Sequence, residues 1–214
     1  MTDALRYDSN ERAQPARKQY LHKGTGMDLT LDPKTTALVL IDLQNGIVAR
    51  QLAPHSSQDV IRNAMQIADA LRARGGTVVF VHVLMSETVS LAVDAPMPRP
   101  VGSIPPQASE LVPEIRLQPG DHVVAKRQWG AFYGTNLEQH LRRRGIRTIV
   151  FGGIATNFGV ESTARAAFDR AYEIVFAENA MSTLSAEAHT FATQTIFPRM
   201  GRVRTTQQIL AAFS

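Results

Sequence analysis

The stretch from residue 147 to 171, RTIVFGGIATNFGVESTARAAFDRA, constrains the fold more than any other part of the sequence. It opens with a short apolar run, residues 148–151, which is typical of a β-strand covered on both faces. Gly152, Gly153 and Gly159 then bracket a loop in which the backbone can approach another group closely. Small and apolar residues at helical spacing follow the loop. A strand, a glycine loop and a helix N-terminus in this order predict the ligand-binding edge of an α/β protein.

The rest of the chain continues the alternation of strands and helices. Apolar runs predict strands at 37–41, 78–83, 122–125, 173–177 and 202–204, and apolar spacing predicts helices at 60–71, 136–144 and 186–198. Thr205 or Thr206 is expected to cap a last helix that ends near Phe213. The alternation predicts an α/β fold of three αβα layers, in which helices cover both faces of a mostly parallel sheet.

The length of 214 residues and the hydrophobic fraction of 44% fit one large domain, which we place at 31–214. Residues 1–30 form a polar N-terminal arm of mixed charge. We expect this arm to pack on a neighbouring subunit, which predicts a homo-oligomer, either a dimer or a tetramer. Residues 84–120 read as irregular and contain seven of the 11 prolines. A segment of this kind is typical of a lid or a subunit contact.

Composition excludes several classes of site. The chain has no cysteine, which rules out disulfides, thiolate metal sites and a cysteine nucleophile. The six histidines show no metal-ligand spacing, so we expect neither a metal nor another cofactor. No long apolar run predicts a membrane span, and the N-terminus lacks the apolar segment of a secretory signal. We therefore expect a cytoplasmic protein without a membrane partner.

The net charge of +4 comes from scattered basic residues, with one dense cluster at 142–144. Cations at this position favour a helix C-terminus, because they complement the helix dipole. A nucleic-acid patch is the alternative interpretation. No interleaved aromatic residues or binding motif accompany the cluster, so we expect no nucleic-acid partner.

Polar residues stand at the carboxyl ends of two predicted strands, Asp42 after the first and Lys126 after the third. Such ends meet at one edge of a parallel sheet, where ligands bind. Asp42 is either a turn-capping residue or an acid–base group, and Lys126 is either a surface lysine or its partner. Trp129 and Phe132 either pack or wall an apolar ligand site. Together these residues predict a desolvated acid–base pair that binds a small molecule.

Three motifs, LIDLQN from residue 40, KRQWGAFYGTNL from residue 126 and GIATNFGVESTAR from residue 153, together resemble the isochorismatase-like hydrolase superfamily. The similarity runs in order from about residue 35 to the C-terminus. It implies a Rossmann-like sheet of six strands in the order 3-2-1-4-5-6. It also implies a cis peptide bond in the glycine loop, at Ile154–Ala155.

Most members of this superfamily resemble cysteine hydrolases with an Asp, a Lys and a Cys in the catalytic site. The resemblance places these three roles at Asp42, Lys126 and Gly159. Glycine carries no nucleophile, so thiolate chemistry is excluded. One branch, the isochorismatases, has glycine at this position and cleaves a vinyl ether without a covalent intermediate. In that chemistry Asp42 is the general acid, Lys126 positions a small anionic substrate and Gly159 leaves room for it.

The resemblance also implies a set of substrate-binding residues: Gln44, Trp129, Phe132, Gly153, Ile154, Ala155, Thr156 and Asn157. Residues 155–157 are closer to the cysteine-hydrolase branch than to the isochorismatase loop. Two alternatives therefore remain open. The chain is a non-catalytic small-molecule-binding member that has lost its nucleophile, or it hydrolyses an amide through a water molecule that Asp42 activates as a base. A general acid also needs a raised pKa, which a nearby ammonium opposes and burial favours.

Overall fold

The computed structural model describes residues 29–97 and 102–214, so most of the predicted N-terminal arm, 1–30, lies outside the described residues. Six parallel strands form one sheet in the order β3-β2-β1-β4-β5-β6. They are β1 Thr36–Ile41, β2 Thr77–Val83, β3 His122–Lys126, β4 Thr148–Ile154, β5 Glu173–Ser182 and β6 Arg202–Arg204. The predicted α/β class and strand order are confirmed.

Six α-helices lie in the described residues: α1 Asn45–Val48, α2 Ser57–Arg72, α3 Leu137–Arg143, α4 Glu161–Asp169, α5 Ala186–Phe191 and α6 Thr206–Ala212. All six side chains of β1 are buried, and those of residues 37–41 alternate between two apolar cores. Leu38 and Leu40 join the core under α2 and α6, whereas Val39 joins the core under α3 and α4. The sheet is therefore the middle layer of a three-layer αβα domain.

β4 and β5 extend well past the ends that the sequence predicts, and both extensions shape the carboxyl edge of the sheet. β4 continues through Gly152 and Gly153 to Ile154, and β5 continues to Ser182, with a register irregularity between them. Gly153 has φ +112°, and a Cβ there would lie 2.1 Å from the backbone oxygen of Ile41. Glycine is thus required because β1 and β4 approach closely at this point.

The helix predicted at 186–198 is interrupted. α5 ends at Phe191, and a π-helical turn over Ala192–Ile196 and a 3-10 turn over Phe197–Arg199 follow it. Pro198 has no N–H to donate, so a regular helix cannot continue through it. A second π-helical turn, Thr156–Val160, precedes α4 and holds Gly159.

Part of the proline-rich segment 84–120 is attached to the body of the domain. Val112 and Ile115 are buried in the core under α2, and the backbone N–H of Asn45 donates to the carbonyl of Glu110 at 3.0 Å. The lid or subunit contact predicted for this segment remains a prediction. No helix of the described residues has both the length and the apolar character needed to cross a membrane.

Candidate active site

Asp42 and Lys126 form a buried ion pair at the carboxyl edge of the sheet. Asp42 directly follows β1, and Lys126 is the last residue of β3, two positions away in the sheet. The Lys126 Nζ lies 2.8 Å from the Asp42 Oδ2, and the side chains are 1% and 10% exposed. The same Nζ donates to the carbonyl of Trp129 at 2.7 Å. The structure therefore brings together the two polar residues that end separate strands.

The electrostatics of Asp42 are those of a carboxyl group that holds its proton more strongly than usual. Burial raises the pKa of Asp42 above its ordinary value, and the ammonium of Lys126 opposes this rise without cancelling it. The Oδ1 atom is buried and has no hydrogen-bond partner among the described residues. The backbone has φ +53°, a left-handed conformation that aspartate and asparagine adopt more readily than other side chains.

Gly159 faces the ion pair from the turn before α4. A Cβ at this position would lie 3.1 Å from the Lys126 Nζ, 3.2 Å from the Asp42 Oδ2 and 2.9 Å from a methyl group of Ile41. The hydroxyl of Thr163 donates to the Gly159 carbonyl at 2.6 Å. Asp42, Lys126 and Gly159 thus surround one small volume, in which a side chain at 159 would contact both charged groups.

The residues between β4 and Gly159 are fixed mainly by contacts away from the ion pair. The Ile154–Ala155 peptide bond is cis. Ile154 is buried in the core, and the partly buried Ala155 packs against this core. The Thr156 hydroxyl lies 2.9 Å from the His189 Nδ1, and the Asn157 Oδ1 accepts from the Thr183 hydroxyl at 2.6 Å.

The Gln44 side chain links the end of β2 to the proline-rich segment 84–120. Its Nε2 donates to the carbonyls of Val83 at 3.0 Å and Ala108 at 2.9 Å, and its Oε1 accepts from the N–H of Val83 at 2.7 Å. Both amide protons are therefore used within the protein. The implied role of Gln44 in substrate binding remains a prediction.

The two aromatic residues predicted to wall the site lie in different surroundings. The Phe132 ring is buried in the core under α3 and α4, where it contacts the Tyr172 ring and the Arg170 guanidinium. Its packing is that of a core residue. The Trp129 side chain is 57% exposed and meets the Phe158 ring edge-on, with centroids 5.0 Å apart.

A cluster that the sequence analysis missed lies behind Thr156. The Nε2 atoms of His55 and His189 both lie 3.0 Å from the same oxygen, the Oε1 of Glu178. Hydrogen bonds from His189 and then His55 lower the pKa of Glu178 to about 2, against the opposing effect of burial. Residues so far apart in sequence produce no local spacing that a motif search could find. We name these three side chains the His–Glu–His cluster.

The sheet order and the buried ion pair at its carboxyl edge define a Rossmann-like α/β protein with a candidate acid–base site. The Isochorismatase domain matches residues 36–208, and the chain belongs to the isochorismatase-like hydrolase superfamily. The predicted superfamily is therefore confirmed.

Two relatives share nearly half of their aligned residues with this chain. The uncharacterized isochorismatase family protein YwoC of Bacillus subtilis (strain 168) is 47% identical, over 85% of this chain and 96% of YwoC. A solved structure of an isochorismatase family protein from Burkholderia thailandensis is 46% identical, with a TM-score of 0.81, over 86% of this chain and 97% of that one.

A more distant relative has a specific activity in its name. The ureidoacrylate amidohydrolase RutB of Agrobacterium fabrum (strain C58 / ATCC 33970) is 32% identical, over 71% of this chain and 78% of RutB.

Proposed function

We propose that this hydrolase acts without a covalent enzyme intermediate, with Asp42 as a general acid on a small anionic substrate of the vinyl-ether type, such as isochorismate. The observation that carries the proposal is the buried Asp42 carboxyl, whose pKa is raised although the Lys126 ammonium lies 2.8 Å away. The lack of any cysteine and the lack of a side chain at Gly159, which faces the ion pair, also support it.

The proposed reaction uses one proton from Asp42. The carboxyl protonates the enolpyruvyl methylene carbon, which leaves an oxocarbenium ion on the ether carbon. Water adds to this carbon and returns a proton to Asp42, and the hemiketal collapses to pyruvate and a dihydrodiol. The buried ammonium of Lys126 stabilises the Asp42 carboxylate between these steps and positions the substrate carboxyl group. A placed general acid accelerates such a step by roughly 10²–10⁴-fold.

The test is to incubate the protein with isochorismate and to measure pyruvate, with the Asp42→Asn variant in parallel. Asparagine has nearly the same shape and tolerates φ +53°, so this variant should keep the fold. We expect its kcat to fall by about 100-fold or more. Asp169→Asn, at an exposed position on α4, is the matched control and should leave pyruvate formation unchanged. Absence of pyruvate with the wild-type protein would exclude isochorismate as the substrate.

The alternative reaction, hydrolysis of an amide by a water that Asp42 activates as a base, is favoured by the similarity to a ureidoacrylate amidohydrolase. A panel of ureido and amide substrates, followed by ammonia release, tests it. Gly159→Cys is the informative variant, because its Cβ would lie close to the Lys126 ammonium, which favours a thiolate. Amidase activity that appears only in Gly159→Cys would indicate a hydrolase that has lost its nucleophile.

A chain that binds small molecules but converts neither substrate class would be the non-catalytic member left open above. The small-molecule substrate, the cytoplasmic location, the homo-oligomer and the lack of a nucleic-acid partner remain proposals.

A further inference from the structure

We propose that His55, Glu178 and His189 form a binding site for one divalent transition-metal ion of the zinc class, with an open position for water. The inference starts from the convergence of three ligand atoms, one from each side chain, within 4.8 Å of one another. The proposal concerns side chains other than the Asp42–Lys126 pair and does not depend on the reaction that this pair catalyses.

The distances fit a metal site with small adjustments. Tetrahedral zinc holds nitrogen and oxygen ligands at about 2.0–2.1 Å, so neighbouring ligand atoms lie about 3.3 Å apart. Both histidine Nε2 atoms already lie 3.0 Å from the Glu178 Oε1. Two imidazoles and one carboxylate with a fourth position left open are a donor set of zinc enzymes.

The backbone and the surrounding hydrogen bonds fix the orientation of the ligands. The N–H and the carbonyl of His55 both bond the Ser182 hydroxyl, at 3.3 and 2.8 Å, which ties this residue to the end of β5. The His189 Nδ1 lies 2.9 Å from the Thr156 hydroxyl, so its Nε2 is the nitrogen that faces the cluster. A second hydrogen bond of this kind orients most metal-binding histidines.

The exposure of the cluster gives an ion a route from solvent. His189 is 3% exposed, whereas the side chains of His55 and Glu178 are 28% and 31% exposed. An ion would therefore be held by one buried and two accessible ligands, with its open position on the accessible side. Through His189 and Thr156, the ion would also stabilise the turn that carries Gly159.

The experiment measures metal binding to the full-length protein after treatment with a chelator. Equilibrium dialysis against Zn²⁺ should give about one ion per chain, and Co²⁺ should give the visible absorption bands of a four- or five-coordinate site. His55→Gln and His189→Gln should each weaken Zn²⁺ binding by at least about tenfold. Thr156→Val should weaken it by about tenfold, because it removes only the orienting hydrogen bond.

The control is His122→Gln, which removes one imidazole from the stacked His122–His140 pair and should leave Zn²⁺ binding unchanged. Zn²⁺ should raise the Tm of the wild-type and control proteins but not that of Glu178→Gln, a variant that changes the ligand charge and little else. Asp42→Asn should still bind Zn²⁺, so the result does not depend on the proposed reaction. Equal Zn²⁺ binding by the wild type and a His55→Gln/His189→Gln double variant would overturn the proposal, as would loss of binding in His122→Gln alone.

Discussion

The pKa of Asp42 is raised, and the two candidate reactions require opposite protonation states of its carboxyl group. If it acts as a general acid on a vinyl ether, only the protonated form works, and kcat/KM falls as pH rises through the raised pKa. If it acts as a base on an amide, kcat/KM rises through the same pKa. We predict the falling profile. The measurement is kcat/KM against pH. If the same pH-dependent change in kcat/KM persists in Asp42→Asn, a group other than Asp42 causes it.

Lys126 is the ion-pair partner of Asp42, so its loss should leave the buried carboxyl group without this compensating charge. We predict that Lys126→Met lowers the free energy of unfolding by about 3–5 kcal/mol, because the carboxyl loses its compensating charge. The double variant Asp42→Asn/Lys126→Met should be more stable than Lys126→Met alone. Urea unfolding of the single and double variants measures this coupling, and strictly additive losses would contradict it.

The sequence predicts some single residues of the site better than others, for a physical reason. Asp42 and Lys126 directly follow apolar strands, and parallel strands bring such ends to one edge of a sheet. The His–Glu–His cluster combines residues 123 and 11 positions apart, and only the packing of the α1–α2 loop and α5 on β5 brings them together. Phe132 shows the opposite case, since its position within a site motif does not reveal that its ring enters the core.

Among the helices, α6 shows how a local motif resolves an ambiguity that the sequence leaves open. Thr205, not Thr206, is the N-cap. Its hydroxyl accepts from the N–H of Gln208 at 3.3 Å, and the Gln208 side chain accepts in return from the N–H of Thr205 at 2.9 Å. Thr206 instead donates its hydroxyl to Asn179 and is buried.

This capping box gives a prediction for the stability of α6. Thr205→Ala should lower the free energy of unfolding by about 1 kcal/mol, since the first turn loses a hydrogen bond from the cap. Gln207→Ala, an exposed position of the same helix, is the control and should have no such cost. Chemical denaturation measures both variants, and an unchanged midpoint in Thr205→Ala would show that the cap contributes nothing measurable.

The strand and helix boundaries that differ from prediction lie where tertiary contacts override local signals. Gly152 and Gly153 indicate a loop in the sequence, yet they belong to β4. A side chain at Gly153 would meet the β1 backbone at Ile41, and one at Gly152 would press on the Ala180 carbonyl of β5. After α5 the chain is π-helical up to the core residue Phe197 and 3-10 from Phe197 onward, where a simple apolar period predicts a continuous helix.

Several large apolar side chains of the described residues are exposed at the surface instead of packed in the core. Those at least half exposed include Val89, Leu91, Val93, Leu117, Trp129, Tyr133, Phe168 and Phe191. Large contiguous apolar patches mark contacts with other chains, and the homo-oligomer remains a prediction.

We therefore expect light scattering coupled to gel filtration to give two or four times the chain mass of 23.5 kDa. Leu91→Glu, in the exposed part of the proline-rich segment, should shift the mass towards that of one chain if this segment forms the contact. A mass of 23.5 kDa for the wild-type protein at every concentration would contradict the homo-oligomer.

The glycine beside the ion pair has a consequence for chemical resistance. Enzymes that depend on a thiolate are inactivated when peroxide oxidises the sulfur or when an alkylating reagent captures it. This chain contains no cysteine, so it has no thiolate at position 159 or elsewhere. If Asp42 supplies the proton as proposed, activity should persist after peroxide treatment, and drugs that carry a thiol-reactive group would find no cysteine to modify.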